Sequence, residues 1–448
     1  MSGVDAGNAS WVLVSASLVL LMTPALALFY GGMSSRRSVL NMMMMSFTAL
    51  GVVSVVYVLW GWSMSYGTQS LGGIVANPFQ FFGLRRSVVD ASGAYIVGVN
   101  GYANVIDVGF QLTFAAISTA IISGALASRV KIGSWLLFSA LWSTFVYFPL
   151  AFMVWGGGIL GHSESSLAAW VFGTDGQEAL IAPIDFAGGT VVHISAGAAA
   201  LVLALVIGQR HGFPTSNSRP HNLPMVMLGA ALLWFGWFGF NGGSAFSADG
   251  LAGLAWVNTT VAAAAAMLGW LLLEKIRDGY ATSLGASSGA VAGLVAITPA
   301  AGALTPAWSI VLGFVGGLLA CIGVGLKYTF RYDDSLDVVG VHLVAGLWGT
   351  IGLALFATDR GILTGGGIDG WKLLVVQALV ALVSMLFSGG MTLLIAFAIK
   401  RTVGWRVTHE EELSGVDYSV HRETGYDLGG PGVRATDFTV LQGKETQR

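Results

Sequence analysis

His193 and His342 are the residues of this sequence whose type and setting point most directly to chemistry. Each interrupts a run otherwise apolar enough to cross a bilayer, and they are the only two of the seven histidines to do so. An ionisable side chain in such a run is costly unless it faces a bundle interior or a polar pathway. Both open the same local frame, His193-Ile-Ser-Ala-Gly and His342-Leu-Val-Ala-Gly, so we expect them to meet in one conduit. Two neutral imidazoles present donor and acceptor nitrogens. Such a pair can stabilise a small polar solute or accept and relay a proton.

A second set of residues is spaced to handle a cation. Asp185 precedes Gly188 and Gly189 and can cap a helix N-terminus there, or supply a fixed negative charge near an entrance. Asp337, five residues before His342, mirrors it loosely. Phe110, Gln111 and Phe114 follow an i, i+1, i+4 spacing that puts both rings on one helix face, as packing or as a gate. Trp155, in MVWGGG, stands at an expected membrane interface. It can anchor the chain there, or offer a small cation an aromatic face worth about 0.5–2 kcal/mol. The segment LLWFGWFGFNGGSAF gathers Trp234, Trp237, Phe238 and Phe240 before Asn241 and Ser244, whose hydroxyl can accept from a cation surrounded by rings.

The elements that must position these groups follow from composition. Of 448 residues 55% are hydrophobic and only 10% charged, with a mean hydropathy of +0.74, whereas a soluble domain carries about a quarter charged residues. Apolar runs recur at 11–30, 42–63, 103–126, 134–154, 190–207, 223–240, 251–273, 286–301, 308–326, 338–356 and 373–398. These predict eleven transmembrane helices in an all-α integral membrane protein of the cell membrane. A barrel would show alternating segments of about ten residues instead. The first run is expected to be a retained helix, because no basic segment precedes it.

Basic residues set the orientation. Ten (Arg36, Arg37, Arg129, Lys131, Arg210, Arg219, Lys275, Arg277, Lys327, Arg331) fall in loops of one side and four (Arg85, Arg86, Arg360, Lys372) in the other. The positive-inside rule then predicts the N-terminus outside and the C-terminus inside. The net charge of −2 says little about partners beyond the bilayer, and nucleic acid is not expected. A single Cys321 excludes an intrachain disulfide and disfavours a thiolate metal site. The histidines could serve as axial haem ligands, but two are few for an electron carrier. We expect no cofactor and no enzymatic activity.

Helices five and ten would run in opposite directions, which fits two inverted halves of five helices, about 11–207 and 223–356, with a final helix at about 373–398. Residues 1–399 then form the membrane domain and 400–448 a polar tail. Counted from the span ends, each histidine lies only shallowly inside, from opposite sides, so unless the spans begin earlier or tilt the pair would be offset in depth. The alanine- and glycine-rich helices seven to nine are read as close packing, without chemistry.

Taken together, these motifs resemble those of the ammonium transporter family (Amt/Mep/Rh), the bacterial Amt branch most closely. DFAGGTVVH at 185–193 and DVVGVH at 337–342 match its signatures, with FQLTF, VWGGG and WFGFNGGS between them. The resemblance implies a homotrimer with one pore per subunit. By position it makes Trp155, Phe114 and Ser244 the recruitment site for ammonium or methylammonium, and Phe114 and Phe240 a stacked gate. His193 and His342 become the pore pair, with Asp185, Phe110, Gln111, Trp237 and Asp337 in support. The tail ELSGVDYSVHRETGY, with Gly415, Asp417, His421, Glu423 and Tyr426, is similar to the family's regulatory segment, which implies control by a PII-type signal protein. Val416 and Arg422 stand where that motif leads us to expect leucine and glycine. A neutral ammonia or carbon dioxide channel and an ammonium sensor are the alternatives.

Overall fold

A computed structural model describes residues 4–215 and 219–426; the end of the tail, including Gly429, Gly430 and Pro431, lies outside the described residues. Eleven helices match the eleven apolar runs: α1 (Ala6–Met33), α2 (Val39–Tyr66), α3 (Asn104–Leu126), α4 (Ile132–Val154), α5 (Gly189–Ile207), α6 (Leu223–Gly242), α7 (Gly250–Asp278), α8 (Ser283–Ala300), α9 (Pro306–Phe330), α10 (Val339–Phe356) and α11 (Gly367–Thr402). The 36 residues of α11 span about 54 Å, well beyond the apolar thickness of a bilayer. It is also the least buried span and lies across the outside of the bundle, whereas α3, α5 and α8 are the most enclosed.

Small residues set how closely the helices approach. Gly313 and Gly317 of α9 rest on the backbones of Ala262 and Ala266 in α7, where a methyl group would clash. Along α6, Gly229, Gly236 and Gly239 meet Phe29, Met22 and Leu18 of α1 in turn. Rising numbers on one helix meet falling numbers on the other, so the contact is antiparallel.

The same relation joins α5 to α10. Gly197 packs on Leu343, and Gly346 packs on His193 and Ile194. Equivalent helices of the two halves thus meet in reverse direction, first with first and fifth with fifth, which is the inverted repeat.

Five spans contain a π-helical turn, and three of those turns carry candidate residues: His193 in Gly189–Ile194, Phe240 in Phe238–Gly242 and His342 in Val339–Val344. Such turns are rare and are enriched at functional sites.

Candidate functional site

On the side of the N-terminal segment, the loops before α3 and α5 and the ends of α2, α4 and α6 enclose an open chamber of about 690 Å³. Trp155, Phe114 and Ser244 all line it. The indole N–H of Trp155 donates to the backbone carbonyl of Asp185 at 3.0 Å, and its ring meets Phe114 edge-on at 6.3 Å. Trp155 therefore faces the chamber mouth. The Ser244 hydroxyl donates to its own helix, to the Phe240 carbonyl at 2.8 Å. With its proton engaged, its oxygen is left as an acceptor.

Asp185 is the cap that starts α5. Its carboxylate accepts from the amides of Gly188 (2.9 Å), Gly189 (2.6 Å) and Thr190 (3.0 Å), and from the Thr190 hydroxyl. Burial pushes this carboxyl above the usual carboxylate range, and the Thr190 hydroxyl and the three amides pull it back. Both carboxylate oxygens are thus engaged at the start of α5, and the backbone carbonyl holds Trp155. Gln377 of α11 clamps the preceding loop, accepting from Ile184 N–H at 2.9 Å and donating to the carbonyls of Ile184 and Thr350, each at 2.8 Å.

Asp337 is not the counterpart of Asp185. It pairs with Lys327 at the end of α9. Asp334 takes that role: it stands eight residues before His342, as Asp185 stands eight before His193, and it accepts from the amide of Val339 at 2.7 Å. Burial raises its carboxyl to about 6, with Lys327 opposing and Asp337 adding to the rise.

Beneath the chamber the Phe114 and Phe240 rings stack at 4.1 Å and 24°. Phe110 braces Phe114 edge-on at 4.8 Å. Below the stack lie the two imidazoles, Nδ1 to Nδ1 at 3.2 Å. One of those nitrogens donates and the other accepts, so a shared hydrogen bond requires at least one lone pair between them. Trp237 stacks on His193 at 5.5 Å and is itself held by its N–H bond to Thr298 at 2.9 Å.

The expected offset in depth is absent because α5 and α10 both begin inside the bundle. Irregular backbone at 182–188 and 331–337 leads into each of them. Such backbone is tolerated at membrane depth where protein or a cavity surrounds it. The pair borders a void of about 10 Å³ whose other walls include Met22, Leu26, Ile117, Leu233 and Val291. That is space for about one water-sized molecule. His193 Nε2 is buried there without a hydrogen-bond partner.

On the opposite side the tail folds back on the loops. Asp417 accepts from the amides of Leu40 (3.0 Å) and Asn41 (2.8 Å), capping α2. His421 bonds Asn41 and Tyr426 bonds His221. Glu412 pairs with Arg406 at 2.5 Å, and Gly415, at φ +109°, lies against Arg37. Glu423 is exposed and makes no hydrogen bond or ion pair with the described residues. Three contributors were missed in the sequence: Asp334, Gln377 and Asp107, a buried acid on α3 that also lines the chamber. For Asp107 the signal was present, as an acid one helical turn before Gln111 in an apolar run.

Among the described residues, eleven helices long and apolar enough to cross a membrane stand around the chamber, which defines the class, a multi-pass membrane protein. The model of the Ammonium Transporter Family matches residues 10–426. The ammonium transporter of Mycobacterium tuberculosis is 48% identical over 95% of this chain and 91% of its own length, and that of Bacillus subtilis 43% identical over 94% and 98%. The solved structure of Candida albicans Mep2 superposes with a TM-score of 0.80 at 28% identity, covering 97% of this chain and 95% of that one. A structure described as a sensor Amt protein reaches the same TM-score at 28% identity, over 92% and 98%. The chain belongs to the ammonium transporter family, which is a family of transporters and not of enzymes.

Proposed function

We propose that the chain recruits ammonium at Trp155, Phe114 and Ser244 and passes ammonia, with a proton, through the Phe114–Phe240 gate and along His193 and His342 into the cell. The observation that carries this reading is the stacked phenyl pair standing between the chamber lined by Trp155 and Ser244 and two hydrogen-bonded imidazoles. An intact ammonium ion would lose several kcal/mol of hydration in the apolar void, even after relaxation. Selection therefore belongs at the mouth, where a ring face and a serine oxygen favour a monovalent N–H donor. Below the gate the solute travels as ammonia held by imidazole nitrogens, and the proton that ammonium gives up is taken and relayed by the same imidazole pair.

The basic residues of the tail side support an orientation with the chamber outside and the tail in the cytoplasm. Assembly as a homotrimer and control of the tail by a PII-type protein belong to the same proposal. Asp417, His421 and Tyr426, docked on the loops, would couple such a partner to α2.

The test is methylammonium uptake and ammonium current in proteoliposomes. Trp155→Leu removes the ring face while keeping apolar volume, and should raise the half-saturating concentration roughly 2- to 30-fold. An unchanged concentration dependence would refute aromatic recruitment. A wild-type protein that moves ammonia without current would be a neutral-gas channel, and one without flux a sensor.

A further inference from the structure

We propose that Asp107 and Gln111 form a second cation site in the upper chamber, which takes ammonium or methylammonium before the aromatic site does. The inference rests on the inward ammonium path proposed above. Asp107, Gln111 and Phe114 follow one another at i, i+4 and i+7 on one face of α3, and all three line the chamber. At 1.5 Å per residue Asp107 stands about 10 Å from the gate ring along the helix.

Both polar side chains are enclosed, Asp107 being 6% exposed and Gln111 8%. Each Asp107 oxygen is aimed by one donor, Oδ1 by the Tyr102 hydroxyl at 2.7 Å and Oδ2 by Asn100 at 3.1 Å. Lone pairs remain on both. Gln111 Oε1 is buried and has no hydrogen-bond partner.

These atoms ask for a ligand with N–H donors and a positive charge. A buried acceptor left unpaired costs free energy, as does a buried carboxylate without a cation, and Asp107 makes no ion pair among the described residues. Arg86, Asp185 and His162 also line the chamber. Arg86 and His162 are exposed, where solvent screens them, and the Asp185 oxygens are occupied by its own helix cap. At about 690 Å³ the chamber has room for many waters. A cation at Asp107 can therefore keep part of its hydration and shed the rest at the rings below.

The experiment is ammonium current in proteoliposomes of the full chain, for wild type, Asp107→Asn, Asp107→Glu and Gln111→Leu, at ionic strengths of about 0.01 M and about 0.15 M. Asp107→Asn should raise the half-saturating ammonium concentration about tenfold, the scale of one charge-assisted hydrogen bond. It should also flatten the dependence of that concentration on ionic strength, while Asp107→Glu restores both in part. Gln111→Leu should raise it about threefold and leave the salt dependence. A loss of maximal current at unchanged half-saturation would make Asp107 a structural residue and overturn the proposal. So would equal salt dependence in wild type and Asp107→Asn. If the wild type carried no ammonium current, the transport reading itself would fail, an outcome distinct from either.

Discussion

The indole N–H of Trp155 is bonded to the backbone carbonyl of Asp185, whose carboxylate gathers three amides and a hydroxyl at the start of α5. One residue thus fixes both the ring at the mouth and the helix that bears His193. Asp185→Ala should lower stability by about 1–2 kcal/mol through the lost cap, and should weaken ammonium recruitment through the misplaced ring. Thermal unfolding in detergent and the half-saturating concentration should move together. A stability loss with recruitment untouched would separate Trp155 from the cap.

The two glycines of the H-x-x-A-G frames sit where α5 and α10 cross. A Cβ on Gly197 would stand 2.6 Å from Leu343, and one on Gly346 3.2 Å from His193. Gly197→Ala should therefore cost about 1–3 kcal/mol through overpacking, and Gly346→Ala distinctly less. The ranking of melting temperatures checks this.

Arg422 adopts φ +58°, a left-handed conformation that glycine reaches without strain. Arg422→Gly should relieve about 1 kcal/mol and tighten the docked tail. Protection of the 409–426 backbone in hydrogen exchange should increase; a decrease would show that the arginine side chain matters more than its backbone.

Asp334 supplies a pH dependence. Its folded carboxyl is raised to about 6 by burial, above the roughly 3.9 of an unfolded aspartate. Its contribution to stability is then complete below about 4 and lost as pH rises through about 6. Asp334→Asn is neutral throughout. The melting temperature of the variant minus that of wild type should grow as pH rises from about 4 to about 7, and a difference that shrinks would contradict the assignment.

The eleven spans, the inverted halves and the histidine pair were legible because apolar length and two misplaced imidazoles are strong signals. Their meeting at 3.2 Å was harder to see: it needs helices that begin inside the bundle, and loop backbone carries no periodicity. Asp337 lies nearer to its histidine in the motif than Asp185 does to His193, but it pairs with Lys327 and is out of register with Asp185. The cap of α10 comes from Asp334, at the same distance of eight residues from its histidine. Trp155 could not be assigned from its type alone, since an interfacial anchor and a cation site both call for tryptophan.

The most direct test of the account is ammonium current through His193→Ala, His342→Ala and the double variant, in proteoliposomes of checked orientation. Each imidazole bonds the other and lines the same void, so their effects should not add. We predict that either single change abolishes or strongly alters the current and that the double change is little worse than either. Wild-type current and selectivity against potassium in both single variants would contradict the twin-histidine path.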